Sequence, residues 1–353
     1  MEVDGRIISQ STPKFAQQVS CKYANLGGRK VQMDFSINHG RQISSTYIQK
    51  ISKQVGNQVQ LQSKTQETYK KWRYSLPKEV LTAHSVSFGM DGTTSYVAKE
   101  GYRETMVGTI SFFDTQGKRL HTIYLAQTPE YGKASFKYRF KTQIEEVKSI
   151  LDKTNPNCIY TAVADGAREN WSFFTETTPY VEHQTLDYWH ATEYLARVSK
   201  VTHTASKEQF AWLKKAKISL KQADNGAEQL LDQMLELKQK YENGEKPNQK
   251  VTDLDLYELN RSITYFTNNR NNPDSYRENY SICKAKYLPI GSGVTEAACK
   301  VIVKERLCCS GMMWTNDNAQ NVLDIRCLTH TPQRWKQMWN NVDKFGVLNA
   351  TSN

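Results

Sequence analysis

Residues 158–164, Cys-Ile-Tyr-Thr-Ala-Val-Ala, form an uncharged run that is closed by Asp165-Gly166. So short a run, bounded by Asn155-Pro156-Asn157 on one side and a turn dipeptide on the other, reads as a strand and not a helix. Its two faces are alike in polarity, so it belongs inside a sheet that is covered on both sides. Helices supply that cover in layered folds, and the run therefore points to an α/β architecture.

The flanking segments fit. Val86-Ser-Phe88-Gly-Met90-Asp91-Gly92 alternates apolar and polar residues, then places a carboxylate before a Gly turn, as the first run does. Residues 103–114 and 119–125 read as two more strands about the turn Asp114-Thr-Gln-Gly117, which makes an antiparallel meander. Phe136, Phe140, Ile144, Val147, Ile150 and Leu151 recur at helical spacing. A short helix is expected over 172–181, a short strand over 184–187, and a helix opening in Asp187-Tyr-Trp-His190-Ala-Thr-Glu193. Residues 200–283 lack strand patterning and read as a helical insertion.

The core resumes over 288–306. Gly291 and Gly293 form a tight turn, Ser292 or Thr295 can cap the next helix, and Glu296 falls in the first turn of that helix. Ala297, Ala298, Val301 and Ile302 would form its apolar side, while Glu296, Lys300 and Lys304 share another face. That face suits a solvated ion-pair ladder. It equally suits a metal-binding carboxylate backed by cations that hold phosphate.

Near the N-terminus, residues 37–43 read as a turn. A helix capped at Ser44 or Ser45 comes next, with Tyr47, Ile48, Ile51 and Val55 on its apolar side and Gly56 as C-cap. Its polar face carries Thr46, Gln49, Lys50 and Lys53, which is how the second helix of a helix-turn-helix presents itself to DNA. An ordinary amphipathic helix fits the pattern at least as well.

Forty-seven Lys and Arg against 36 Asp and Glu leave a net charge of +11, which favours a polyanionic partner. Seven cysteines without a CxxC argue against a zinc ribbon and a disulfide framework, and for reduced thiols in the cytoplasm. No apolar run reaches the length of a membrane span, and no secretory signal is evident at the N-terminus.

Four motifs now stand together: Met90-Asp91-Gly92, Ala164-Asp165-Gly166-Ala-Arg168-Glu-Asn170, Asp187-Tyr-Trp-His190, and Pro289-Ile-Gly291-Ser-Gly293-Val-Thr-Glu296-Ala-Ala-Cys-Lys300. With them the chain resembles an insertion-sequence transposase of the DDE class, over residues 86 to about 328. The resemblance implies an RNase H-like mixed sheet flanked by helices, with Asp91, Asp165 and Glu296 as the catalytic, metal-binding triad and Asp187 and His190 in support. It implies Mg²⁺, with Mn²⁺ as a substitute, and strand cleavage at transposon ends followed by transfer into target DNA. The partners would be double-stranded DNA and a second or further copy of the chain, in the cytoplasm and on the nucleoid.

Lys300, Lys304 and Arg306 would bind phosphates, and Trp314 would stack on a base. The layout would be an N-terminal helical DNA-binding region over 1–80, a core over 84–199 and 284–335 split by the insertion, and a tail from 336. Two features depart from the pattern: there is no zinc module, and Val303 stands where some DDE families have a basic residue. A transposase-derived DNA-binding protein without chemistry and an RNase H-like nuclease without strand transfer are the rival readings.

Overall fold

The computed structural model describes residues 8–68, 72–270 and 277–348. Five strands form one mixed sheet in the order β3-β2-β1-β4-β5. They are β1 (Ser85–Val97), β2 (Gly101–Phe113), β3 (Arg119–Gln127), β4 (Ile159–Ala164) and β5 (His183–Leu186). The first three are the expected meander. β4, the uncharged run, pairs parallel to β1 with Ser85 opposite Ile159 and Gly89 opposite Val163, and β5 pairs parallel to β4. β1 is thus central, and Asp91 and Asp165 each lie two residues beyond the pair Gly89 and Val163. Side chains alternate along strands, so equal offsets place the two carboxylates on the same side, Asp165 just past the end of β4 and Asp91 in the middle of β1. The turn expected at Asp91-Gly92 does not form, because β1 stays paired with β2 as far as Val97.

One face of the sheet carries Val86, Phe88, Met90, Ile110, Phe112, Ile123 and Leu125. It is covered by α4 (Ala134–Thr154), α5 (Arg168–Thr177) and α6 (Tyr188–Thr202). The segment expected to be an insertion holds helices and, among its described residues, no strand: α7 (Ser206–Gln222), α8 (Gly226–Glu242), α9 (Asp253–Arg270) and the start of α10 (Tyr280–Ala285), joined by turns. Leu220, Leu230, Met234, Leu259 and Phe266 join the same buried cluster, so these helices extend this core.

The opposite face offers Val107 and Ala126. It is covered by α11 (Gly293–Ala298), a π-helical turn Cys299–Lys304 and α12 (Glu305–Leu307), together with α13 (Asn316–Thr329).

A third cluster joins α1 (Pro13–Asn25), α2 (Gly28–His39) and α3 (Ser45–Thr68) to α13 and to α14 (Pro332–Phe345). Two expectations are corrected here. The tail expected from 336 is the body of α14 as far as Phe345, with Met338, Trp339 and Val342 buried against the N-terminal helices; 349–353 lie outside the described residues. Gly56 does not end its helix. α3 runs on to Thr68, and a Cβ at Gly56 would fall 2.5 Å from Asn321 Oδ1, so the glycine permits a close crossing of α3 over α13. Ser44 does cap α3, accepting from Tyr47 N at 3.1 Å.

Buried Asp324 on α13 ties these layers together, accepting from Arg139 of α4 at 2.6 Å and from Gln60 of α3 at 2.9 Å. Among the described residues no helix is long and apolar enough to cross a membrane.

Candidate active site

α11 approaches the sheet because β1 lacks a side chain at Gly89, where a Cβ would lie 2.2 Å from Thr295 Oγ1. Thr295, buried, instead shares a 2.7 Å hydrogen bond with Thr109 of β2. The next residue, Glu296, is thereby carried towards the point where the pairing of β1 with β4 stops, its side chain 44% exposed.

Each acidic group has its own holding partner. Asp91 accepts from Gly92 N at 2.7 Å and from the Cys299 thiol at 3.5 Å. Burial raises the Asp91 pKa, and the neighbouring Asp165 carboxylate raises it further. Asp165 accepts from Ala167 N and Asn170 Nδ2, both at 3.0 Å, while its carbonyl takes the Tyr265 hydroxyl of α9 at 3.0 Å. Gly166 follows at φ +97°, a conformation that side chains disfavour. Glu296 accepts from Ser292 Oγ at 2.7 Å.

Asp187 is fully buried and caps α6, accepting from His190 N at 2.8 Å and also from Ser292 N. Burial alone would disfavour its charge, but donation from His190 and Ser292 prevails and holds its pKa at about 2. Asp187 in turn, followed by Glu296 and Asp165, raises the pKa of His190 to about 9. His190 Nδ1 lies 3.5 Å from Asp187 Oδ1 and 3.8 Å from Glu296 Oε1, an imidazolium between two carboxylates.

The five residues expected at the site fall in two subgroups, and the expected metal set Asp91, Asp165 and Glu296 does not itself make a compact ligand group. Asp91, in the middle of β1, and Asp165, just past the end of β4, are neighbours. Glu296, Asp187 and His190 have ligand atoms within 4.8 Å of one another, and among the described residues this is the one such group that could hold a metal ion. Asp187 and His190 thus sit closer to Glu296 than supporting roles required. Carboxylate oxygens are hard donors of the kind Mg²⁺ or Mn²⁺ prefers, and the group drawn close enough to share one ion is Asp187, His190 and Glu296. His190 is a member of that group, and its ring would have to release its proton to act as a ligand.

Lys300 and Lys304 are exposed on the helix of Glu296. Two other expectations are corrected. Arg306 is 2% exposed: it donates to the Tyr23 carbonyl at 3.1 Å and lies over the rings of Tyr23 and Trp314, at 5.0 and 4.7 Å from their centroids. Trp314 is buried in that stack, so both residues mainly build the floor of the groove under α3 and neither side chain is extended into solvent as the phosphate and base contacts expected of them would need. The reason is legible in spacing. Thr295, Cys299, Ile302 and Arg306 recur at helical intervals and form the stripe that packs inward, whereas Ala297 is exposed and Val301 half-buried.

Thr46, Gln49, Lys50 and Lys53 are exposed on α3 and line a groove of about 920 Å³ with Arg29, Met312 and Met313. No acidic residue lines it. Sequence reasoning missed Cys299, Asn170 and Ser292 as the holders of Asp91, Asp165 and Glu296; all three lie inside the four motifs, three to five residues from an acidic group.

No protein-family model matches the chain, and no curated protein is significantly similar to it.

Proposed function

We propose that this protein is a metal-dependent DNA transposase of the DDE class, built on an RNase H-like core. The observation that carries the reading is the parallel register of β1 and β4, which sets Asp91 and Asp165 side by side beneath the helix of Glu296. The strand order, with a helical segment between α6 and α11, agrees with that architecture. The α2–turn–α3 unit, with its exposed Thr46, Gln49, Lys50 and Lys53, suits a helix-turn-helix that reads the transposon end.

Asp91, Asp165 and Glu296 would hold the divalent cations. When bound, such ions activate the attacking oxygen and neutralise charge on the leaving one in phosphodiester transfer. The chain's own residues supply the rest. Lys300 and Lys304, exposed along the helix that bears Glu296, draw the phosphate backbone to the carboxylates. His190, held between Asp187 and Glu296, can donate from its ring to a phosphate oxygen. Asp187 keeps that imidazole in place. The Asp91 carboxyl stays oriented by the Cys299 thiol, which burial and Asp91 keep protonated.

The test uses purified full-length protein, labelled duplexes taken from the DNA flanking its coding region, and a supercoiled target. Reactions run with Mg²⁺, with Mn²⁺ and without either, beside Glu296→Gln. Metal-dependent joining that the variant loses while still binding DNA is the expected result. Cleavage by the variant at the native rate would sink the triad, and cleavage without joining would favour a nuclease.

A further inference from the structure

The aromatic residue at the mouth of the site is Trp189, and its exposure demands an explanation. It stands between Asp187 and His190 in the first turn of α6, yet it is 59% exposed. Large aromatic side chains seldom forgo so much burial. Nor is this indole loose. It packs edge-to-face on Tyr188 with centroids 5.4 Å apart and rings inclined at 73°. Its Cδ1 and Nε1 edge abuts Gly291, where a Cβ would come within 3.2 and 3.3 Å of those atoms. Gly291 precedes Ser292, the residue that bonds both Asp187 and Glu296. The ring is therefore fixed by the same loop that fixes the acidic cluster.

We propose that Trp189 is a stacking platform for an unpaired nucleobase beside the phosphate that the carboxylates address. The surroundings decide the ligand class. An exposed π-face stands beside the acidic cluster, in a chain of net charge +11 whose exposed Lys300 and Lys304 follow Glu296 on the same helical segment. Phosphate is drawn by the cations, and the flat apolar partner linked to phosphate in a polynucleotide is the base. Stacking tolerates any base, so Trp189 contributes affinity and alignment while sequence is read elsewhere. The proposal rests on the reading of the site as one for polynucleotides.

The experiment uses the full chain in EDTA with two labelled DNAs: a blunt duplex, and the same duplex with a short single-stranded 5′ overhang that carries 2-aminopurine. Anisotropy reports binding, and 2-aminopurine emission reports stacking. The native protein should quench the fluorophore. Trp189→Phe should retain most of the quenching. Trp189→Ala should abolish it, weaken the overhang complex by about tenfold and leave the blunt complex nearly unchanged. A thermal unfolding curve for Trp189→Ala that matches the native protein excludes loss of fold.

If Trp189→Ala binds and quenches as the native protein does, the platform is wrong while the polynucleotide reading stands. If the native protein binds neither DNA, both fail.

Discussion

Arg326 Nε on α13 donates to the Ile302 carbonyl at 2.9 Å, from outside the helix that carries Glu296. The same guanidinium reaches the Val301 carbonyl, the Ala24 carbonyl at 2.8 Å and Asn25 Oδ1 at 3.0 Å. Ile302 and Val301 lie within the π-helical turn, whose widened pitch departs from the regular i→i−4 ladder. One buried arginine thus holds the irregular turn behind Glu296 and clamps it to the end of α1. Arg306, bonded to the Tyr23 carbonyl, adds a second tie to α1. The N-terminal helices and the candidate site are mechanically joined.

Arg326→Met should therefore destabilise the fold by roughly 3 kcal/mol, because it strands several buried carbonyls. Arg326→Lys should recover part of that, since a single ammonium reaches fewer of the acceptors. Urea denaturation of both variants checks this. Unchanged midpoints would mean that water satisfies the turn unaided.

Gly89→Ala places a methyl group on Thr295 Oγ1 and must push α11 from the sheet. A loss of about 1–3 kcal/mol is expected, together with a fall in any metal-dependent cleavage. Adding Thr295→Ala makes room and should restore stability in part. The comparison of single and double variants by thermal denaturation isolates the contact; additive losses would refute it.

The groove under α3 makes a prediction about salt. If Lys50 and Lys53 each contact a phosphate, Lys50→Ala and Lys53→Ala should each flatten the slope of log affinity against log salt by about 1. Arg306→Lys should leave that slope unchanged, because the guanidinium is buried under Trp314. Titrations at several salt concentrations decide this.

Asp187 predicts a pH window for stability. Its folded pKa of about 2 lies below its ordinary value of 3.8, so the unfolded chain binds the proton more tightly. The stabilisation is complete above pH 3.8 and is lost as pH falls towards 2, and it amounts to about 2 kcal/mol. Asp187→Asn should remove that part of the acid dependence. Denaturation midpoints of both proteins between those pH values provide the check; parallel curves would contradict it.

Local patterning was enough for the elements that repeat. The uncharged run at 158–164, the alternation through Met90 and the Phe136–Phe140–Ile144 spacing announced β4, β1 and α4, because period and polarity are properties of neighbouring residues. The motifs around Asp91, Asp165, Asp187 and Glu296 were visible for the same reason, since each is written within a few residues, although the turn expected after Asp91 is continuous strand in the fold. What the chain alone could not supply is which distant surfaces close on one another.

Gly56 looks like a helix end until Asn321 is seen against it, and Trp314 looks available until Arg306 and Tyr23 cover it. Residues beyond 336 look like a tail until Met338 and Trp339 are found in the core of the N-terminal helices. The pairing of Glu296 with His190 and Asp187 likewise waits on the fold. Helix and strand signals depend on side chains a few residues apart, whereas burial and ion pairing depend on contacts across hundreds of residues, which only the folded chain brings together.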